Sequence, residues 1–283
     1  MLSESPYARR RLVDHVVRIA CIAAVAVAVL PLFSILYYTA SRGIAGLDLD
    51  FFLRLPRPVG ETGGGMANAI DGTLKLVGGA CLIGIPVGVL AGVFLAEYRG
   101  SRYATTVRFA ADVMAGVPSI TVGLFAYAVV VIPMGRFSAF AGSFALSVIM
   151  LPTVARTTEE LLLLVPRTLR EAALGLGVAR WRATLFVVVR TALPGIATGV
   201  MLAVARVAGE TAPLLFTAFS NRFWSAGLDQ PIASLPVQIY TYAVSPFEDW
   251  HRQAWAASLL LVTMILLLNV TAKLLVRHRL ERR

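Results

Sequence analysis

Six separate stretches of this chain carry about 20 mainly apolar residues each, the length at which an α-helix crosses the hydrocarbon of a bilayer. They are Val16–Tyr38, Leu74–Leu95, Phe109–Ile132, Phe137–Val154, Leu193–Ala218 and Trp255–Val276, the fourth being the shortest. Hydrocarbon offers no water to backbone N–H and C=O groups, so each run must close its hydrogen bonds within itself, as a helix. A mean hydropathy of +0.75 with 15% charged residues excludes a soluble domain with a polar surface. The chain therefore reads as an all-α membrane protein with six transmembrane helices. Arg9, Arg10 and Arg11 precede the first run as in a signal peptide. Its apolar length exceeds the usual ~7–15 residues, so it reads as an uncleaved span.

The net charge of +10 has two ordinary sources, a nucleic-acid surface or loops retained in the cytoplasm. With both termini inside, 18 of the 26 Lys and Arg fall on inner segments and six on outer ones, leaving Lys75 and Arg206 within spans. That asymmetry places both ends in the cytoplasm and makes the chain a multi-pass protein with the lipid bilayer rather than nucleic acid as its partner. Cys21 and Cys81 lie inside apolar runs and read as small packed hydrophobes, not metal ligands or a disulfide. The outer segments 41–73 and 220–254 read as structured caps, with Trp224 and Trp250 as interfacial anchors and Gly63, Gly64 and Gly65 in turns. Gly84, Gly88 and Gly92, and again Gly195 and Gly199, recur every four residues, where helix backbones approach closely.

Charges within the spans are the candidate functional groups. Arg206 lies about 18 Å along the helix from either Pro194 or Ala218, near the midplane. A charge there costs on the order of 3 kcal/mol and requires a partner or a water-filled path. Two readings stand side by side. Glu210, one turn on, pairs with Arg206 structurally, or Arg206 is a weak anion station whose planar donors fit an oxyanion while Glu210 prevents trapping. Gly209 and Pro213 would loosen the helix beside such a station. Arg156 is either a second station or an interfacial anchor. Lys75 is either part of a pathway or satisfied by Asp71 one turn before it.

The longest inner loop, Arg156–Ala192, contains Glu171-Ala172-Ala173, then Gly177, Trp181 and Phe186, before Leu193-Pro194. By composition it is a short amphipathic helix on the membrane surface. No Gly-Lys-Ser/Thr phosphate loop can be written, since Lys75 and Lys273 follow Leu and Ala. Any ATP would be hydrolysed by another polypeptide.

Glu-Ala-Ala followed after three residues by Gly, ahead of the penultimate span, resembles the EAA loop of ABC importer permeases, although Leu193-Pro194 stands about one turn later than in that pattern. The segment Ala205-Arg206-Val-Ala-Gly-Glu210-Thr211-Ala-Pro-Leu-Leu-Phe-Thr217 resembles the hallmark of phosphate importer permeases of the PstA type. Ala69-Ile-Asp-Gly-Thr-Leu74, Arg156-Thr-Thr-Glu-Glu160, Asn221-Arg-Phe-Trp-Ser225 and Gln230-Pro-Ile-Ala-Ser-Leu-Pro236 agree with it. The resemblance implies a type I ABC importer bundle that forms half of a phosphate pathway in a bacterial plasma membrane. It casts Arg156, Arg206, Glu210 and Thr211 as pathway residues and Glu171, Ala172, Ala173 and Gly177 as the contact with an ATPase. The implied partners are a related second permease, a cytoplasmic ATPase dimer that binds ATP and Mg, and an extracytoplasmic phosphate-binding protein; this chain itself holds no cofactor or metal and is not an enzyme. The implied organisation is an N-terminal segment 1–68, a permease core 69–277 with its coupling loop at 156–192, and a basic tail 278–283. Sulfate or molybdate is the alternative substrate, because a guanidinium does not by itself distinguish tetrahedral anions. A proton-coupled secondary transporter would use Arg206 and Glu210 as a relay. A phosphate-ester enzyme lacks support, because the three histidines, His15, His251 and His278, all lie away from midspan carboxylates.

Overall fold

The computed structural model describes residues 5–281; the side chains of the tail expected at 278–283 lie outside the described residues. The apolar runs are helical apart from breaks in the third and fifth. The long helices are α1 (Ser5–Gly43), α3 (Ala67–Glu97), α6 (Ala139–Leu163), α8 (Arg180–Ala208) and α11 (Glu248–Glu281). Between them come α2 (Leu49–Leu53), α4 (Arg102–Gly116), α5 (Ser119–Met134), α7 (Arg167–Gly175), α9 (Ala212–Leu215) and α10 (Leu235–Ala243). Among the described residues the extended backbone amounts to one isolated bridge, Pro56 to Gly64.

Helix α6 is the axis of the bundle, and glycines set its neighbours. Gly84, Gly88 and Gly92 of α3 rest on Met150, Val154 and Thr158 of α6, where an added Cβ would lie 3.0 Å or closer to the facing side chain. Gly195 and Gly199 of α8 meet Leu161 and Thr157 on another side of the same helix. A missing Cβ at four-residue intervals turns each contact into a continuous seam, so the close packing expected from the spacing is what the fold uses. Two-thirds of the α6 apolar window is buried by protein, 67% against 0% for α1. This explains why the fourth stretch is short on apolar residues. A helix wrapped by other helices needs little hydrophobicity toward lipid, whereas α1, touching the bundle mainly through α11, presents an apolar surface all round.

Three span expectations are corrected. The third stretch is not one straight crossing: α4 and α5 meet at 107° around Val117-Pro118. Proline lacks the N–H that would continue the ladder and pushes the preceding residue out of helical geometry, and Val117 is extended. The fourth stretch continues to Leu163 and the fifth begins at Arg180, so the loop expected at 156–192 shrinks to 164–179. The fifth also stops at Ala208 rather than Ala218, breaking at Gly209 before the short α9.

The end of the bundle opposite α7 is closed by residues 44–66 and 219–247. There Trp250 is buried and stacks on Tyr242 with ring centroids 4.3 Å apart, so it is a core residue of the cap and not an interfacial anchor, while Trp224 is exposed. Thr73 on α3 accepts the Leu235 N–H at 2.8 Å and fixes the start of α10. Cys21 is exposed on α1 and Cys81 is half-buried against the Leu76–Met150 core; both are free thiols.

Candidate functional site

The residues around Arg206 mark the place where α8 ends. Gly209 and Glu210 donate their N–H groups to the carbonyls of Arg206 and Val207 at 3.2 Å each, a tight terminal turn, and Thr211 then starts α9 by accepting from Leu214 at 3.1 Å. Pro213 seats against Gly123 of α5, whose missing Cβ would lie 2.6 Å from the proline Cα. The break removes the one-turn relation between Arg206 and Glu210. Among the described residues neither side chain forms a salt bridge, and Arg206 is exposed on the single chain while Glu210 and Thr211 are half-buried. The expected one-turn pair is therefore not formed among the described residues. An unpaired guanidinium at membrane depth must reach water or a second chain.

Arg156 sits inside α6, not in a loop, and pairs with two carboxylates. Its Nη1 donates to Glu159 Oε2 at 2.9 Å and its Nε lies 3.0 Å from Asp112 Oδ1 on α4. Glu159, with a side chain only 3% exposed, also accepts from Arg108 Nε at 2.9 Å and Nη2 at 2.5 Å. Two arginines and two carboxylates thus form one neutral chain between α4 and α6. Arg108, Asp112 and Glu159 were not singled out from sequence. The available signals were Arg108 and Asp112 four residues apart and Arg156 and Glu159 three apart, each pair on one helix face. Arg156 lies one residue from Thr157, which faces Gly199, and Arg206 stands about 10 Å farther along α8 at 1.5 Å per residue.

Just beyond the C-terminal end of α6, α7 carries Glu171, Ala172 and Ala173. Ala173 is buried, whereas Glu171, Ala172 and Gly177 are exposed. Gly177 has φ +76°, its N–H bonds the Leu174 carbonyl at 2.9 Å, and the next N–H, of Val178, reaches back to Ala173 at 3.1 Å. That pairing is a Schellman motif, and it gives the glycine a local reason: only a residue without Cβ takes the left-handed position easily and stops the helix. Leu174 and Leu176 project beside it, 48% and 84% exposed, an apolar pair left uncovered by the described residues. Lys75 is satisfied within the cap, 2.6 Å from Asp71 and 3.2 Å from the Ser225 carbonyl.

The bundle of long apolar helices has an exposed arginine two residues from the end of α8 and an exposed, capped helix at one end. The chain belongs to the family of binding-protein-dependent transport system inner membrane components, whose model matches residues 84–283. It is 47% identical over 262 residues to the phosphate transport system permease protein PstA of Yersinia pestis, covering 91% of this chain and 89% of that one. Identity to PstA of Xylella fastidiosa strain Temecula1 is 45% over 287 residues, covering 98% and 97%. To PstA 1 of Mycobacterium tuberculosis H37Rv it is 36% over 273 residues, covering 94% and 88%. The fold is shared with a chain of the MetNI methionine ABC transporter in an inward-facing conformation, at a TM-score of 0.60 and 20% identity over 75% of this chain and 96% of that one. The protein is thus an ABC importer permease of the multi-pass inner-membrane kind, and α1 lies ahead of the family match.

Proposed function

We propose that this chain forms one half of the translocation pathway of an ATP-driven inorganic phosphate importer, with ATP and Mg bound by a separate ATPase. The substrate reading is carried by likeness over nearly the whole length to relatives named as phosphate transport permeases. The site suits it, since an exposed guanidinium offers paired donors to a tetrahedral oxyanion. Arg206, Glu210 and Thr211 line the path, and Arg156 supports it from within the Arg108–Glu159–Asp112 chain rather than as a free station. The partners are a second, related permease that completes the pathway, an ATPase dimer in the cytoplasm and an extracytoplasmic phosphate-binding protein. Residues 69–277 are the permease core, and both termini face the cytoplasm, as the basic residues favour.

The exposed helix α7, with Glu171, Ala172, Ala173 and Gly177, docks on the ATPase, and Leu174 and Leu176 supply its apolar contact. Gly177→Val places a β-branched residue at a left-handed position, a cost of roughly 1–2 kcal/mol that unseats the cap. We expect the permease to accumulate normally while ATP hydrolysis stimulated by the loaded binding protein is lost; normal stimulation argues against docking through α7.

A strain lacking this chain is expected to lose high-affinity phosphate uptake while retaining sulfate and molybdate uptake. Loss of sulfate or molybdate uptake instead would reassign the substrate.

A further inference from the structure

The end of α3 is bound into the α7 region by contacts with no part in the roles assigned above. Glu97, the last residue of α3, has a side chain only 10% exposed and pairs with Arg170 Nη1 of α7. Arg170 extends its other terminal nitrogen to the Leu162 carbonyl at the end of α6, at 3.1 Å. The backbone carbonyl of Glu97 accepts from Arg180 Nη2, at the start of α8, at 3.3 Å, and that guanidinium lies 5.5 Å from the centre of the Tyr98 ring. One acidic residue therefore gathers the ends of α3 and α6 and both sides of the α7 loop. Beneath it Ala96, Leu162, Val165, Val188 and Ile196 form a separate apolar cluster joining α3, α6 and α8. On α7 itself only Ala173 is buried, so apolar packing alone holds this helix weakly.

We propose that Glu97 is the positioning residue through which movement of α7 reaches the membrane helices. Resting on the docking of α7 to an ATPase, the inference adds the strut behind that contact. A charge-assisted pair of low exposure resists the tilt of a short helix better than a lone alanine contact does. Movement so delivered passes to α3, which the Gly84–Gly88–Gly92 seam locks to α6, the helix carrying Arg156 and Glu159.

The test uses the complete importer in proteoliposomes. Glu97→Gln keeps the shape and removes the charge. We expect hydrolysis stimulated by the loaded binding protein to fall about tenfold, the scale of one charge-assisted hydrogen bond, with basal hydrolysis and the amount of co-purified ATPase unchanged. The exchange of Glu97→Arg with Arg170→Glu is expected to restore most of the stimulation, which a purely structural contact elsewhere on Glu97 would not allow. Undiminished stimulation in Glu97→Gln, loss of the ATPase from that complex, or no recovery in the exchange overturns the proposal. A photo-cross-linking residue at Ala172 separates the two levels. Cross-linking to the ATPase together with a fully stimulated Glu97→Gln removes the strut alone, and no cross-link in the otherwise unaltered chain removes both the docking reading and the strut.

Discussion

Arg206→Gln is expected to abolish phosphate uptake while the protein accumulates in the membrane at its normal level. Because Arg206 has no salt bridge or side-chain hydrogen bond among the described residues, its removal leaves no carboxylate stranded there and little stability is lost. What disappears is the paired charge-assisted contact with a passing oxyanion, worth about 1.5–3 kcal/mol, or roughly 10- to 100-fold in rate. Arg206→Lys keeps the charge without the planar fork, and most of that loss should remain. Replacing Arg206 by Gln and Glu210 by Leu together should be no better than the single change. Uptake near normal in the double variant would restore the ion-pair reading that the break at Gly209 removes.

The second large effect is on stability and falls at Glu159. Its side chain is 3% exposed and shared by Arg108 and Arg156. Glu159→Gln removes the carboxylate that Arg108 and Arg156 share; Arg156 keeps Asp112, while the part-exposed Arg108 loses its carboxylate partner, a cost of about 1–3 kcal/mol. We expect a fall in membrane abundance and in the thermal midpoint of the detergent-extracted protein. Asp112→Asn is the control. Its carboxylate is half exposed, so the loss should stay within about 1 kcal/mol. Equal, small effects at both positions would show that the chain of four charges is not a structural unit.

The helices and their close contacts were legible because their causes are local. A missing Cβ every fourth residue at Gly84, Gly88 and Gly92 needs no knowledge of the partner to signal a seam. What averaging over apolar residues hides is where a span bends or ends. The third and fifth stretches are apolar on average, yet Pro118 breaks one and Gly209 the other. Both residues are visible in the sequence as breakers, but hydropathy carries through them. The one-turn pairing of Arg206 with Glu210 presumed an unbroken helix and failed with it. Arg156 escaped its reading for a different reason. Asp112 and Arg108 lie on α4, far away in sequence, and only packing against α6 brings them to it. The Schellman stop at Gly177 lies between, since the glycine is plain but its left-handed role emerges from the hydrogen bonds of Leu174 and Ala173.

Vectorial transport by the purified complex tests the account most directly. With the two permeases, the ATPase and the binding protein reconstituted in liposomes, labelled phosphate is expected to accumulate only when ATP is supplied on the side of α7. A large excess of sulfate or molybdate should leave most of that accumulation in place, and Arg206→Lys in this chain should remove most of it. Accumulation driven by a proton gradient without ATP, or equal suppression by sulfate, would contradict the assignment of this chain as half of an ATP-driven phosphate pathway.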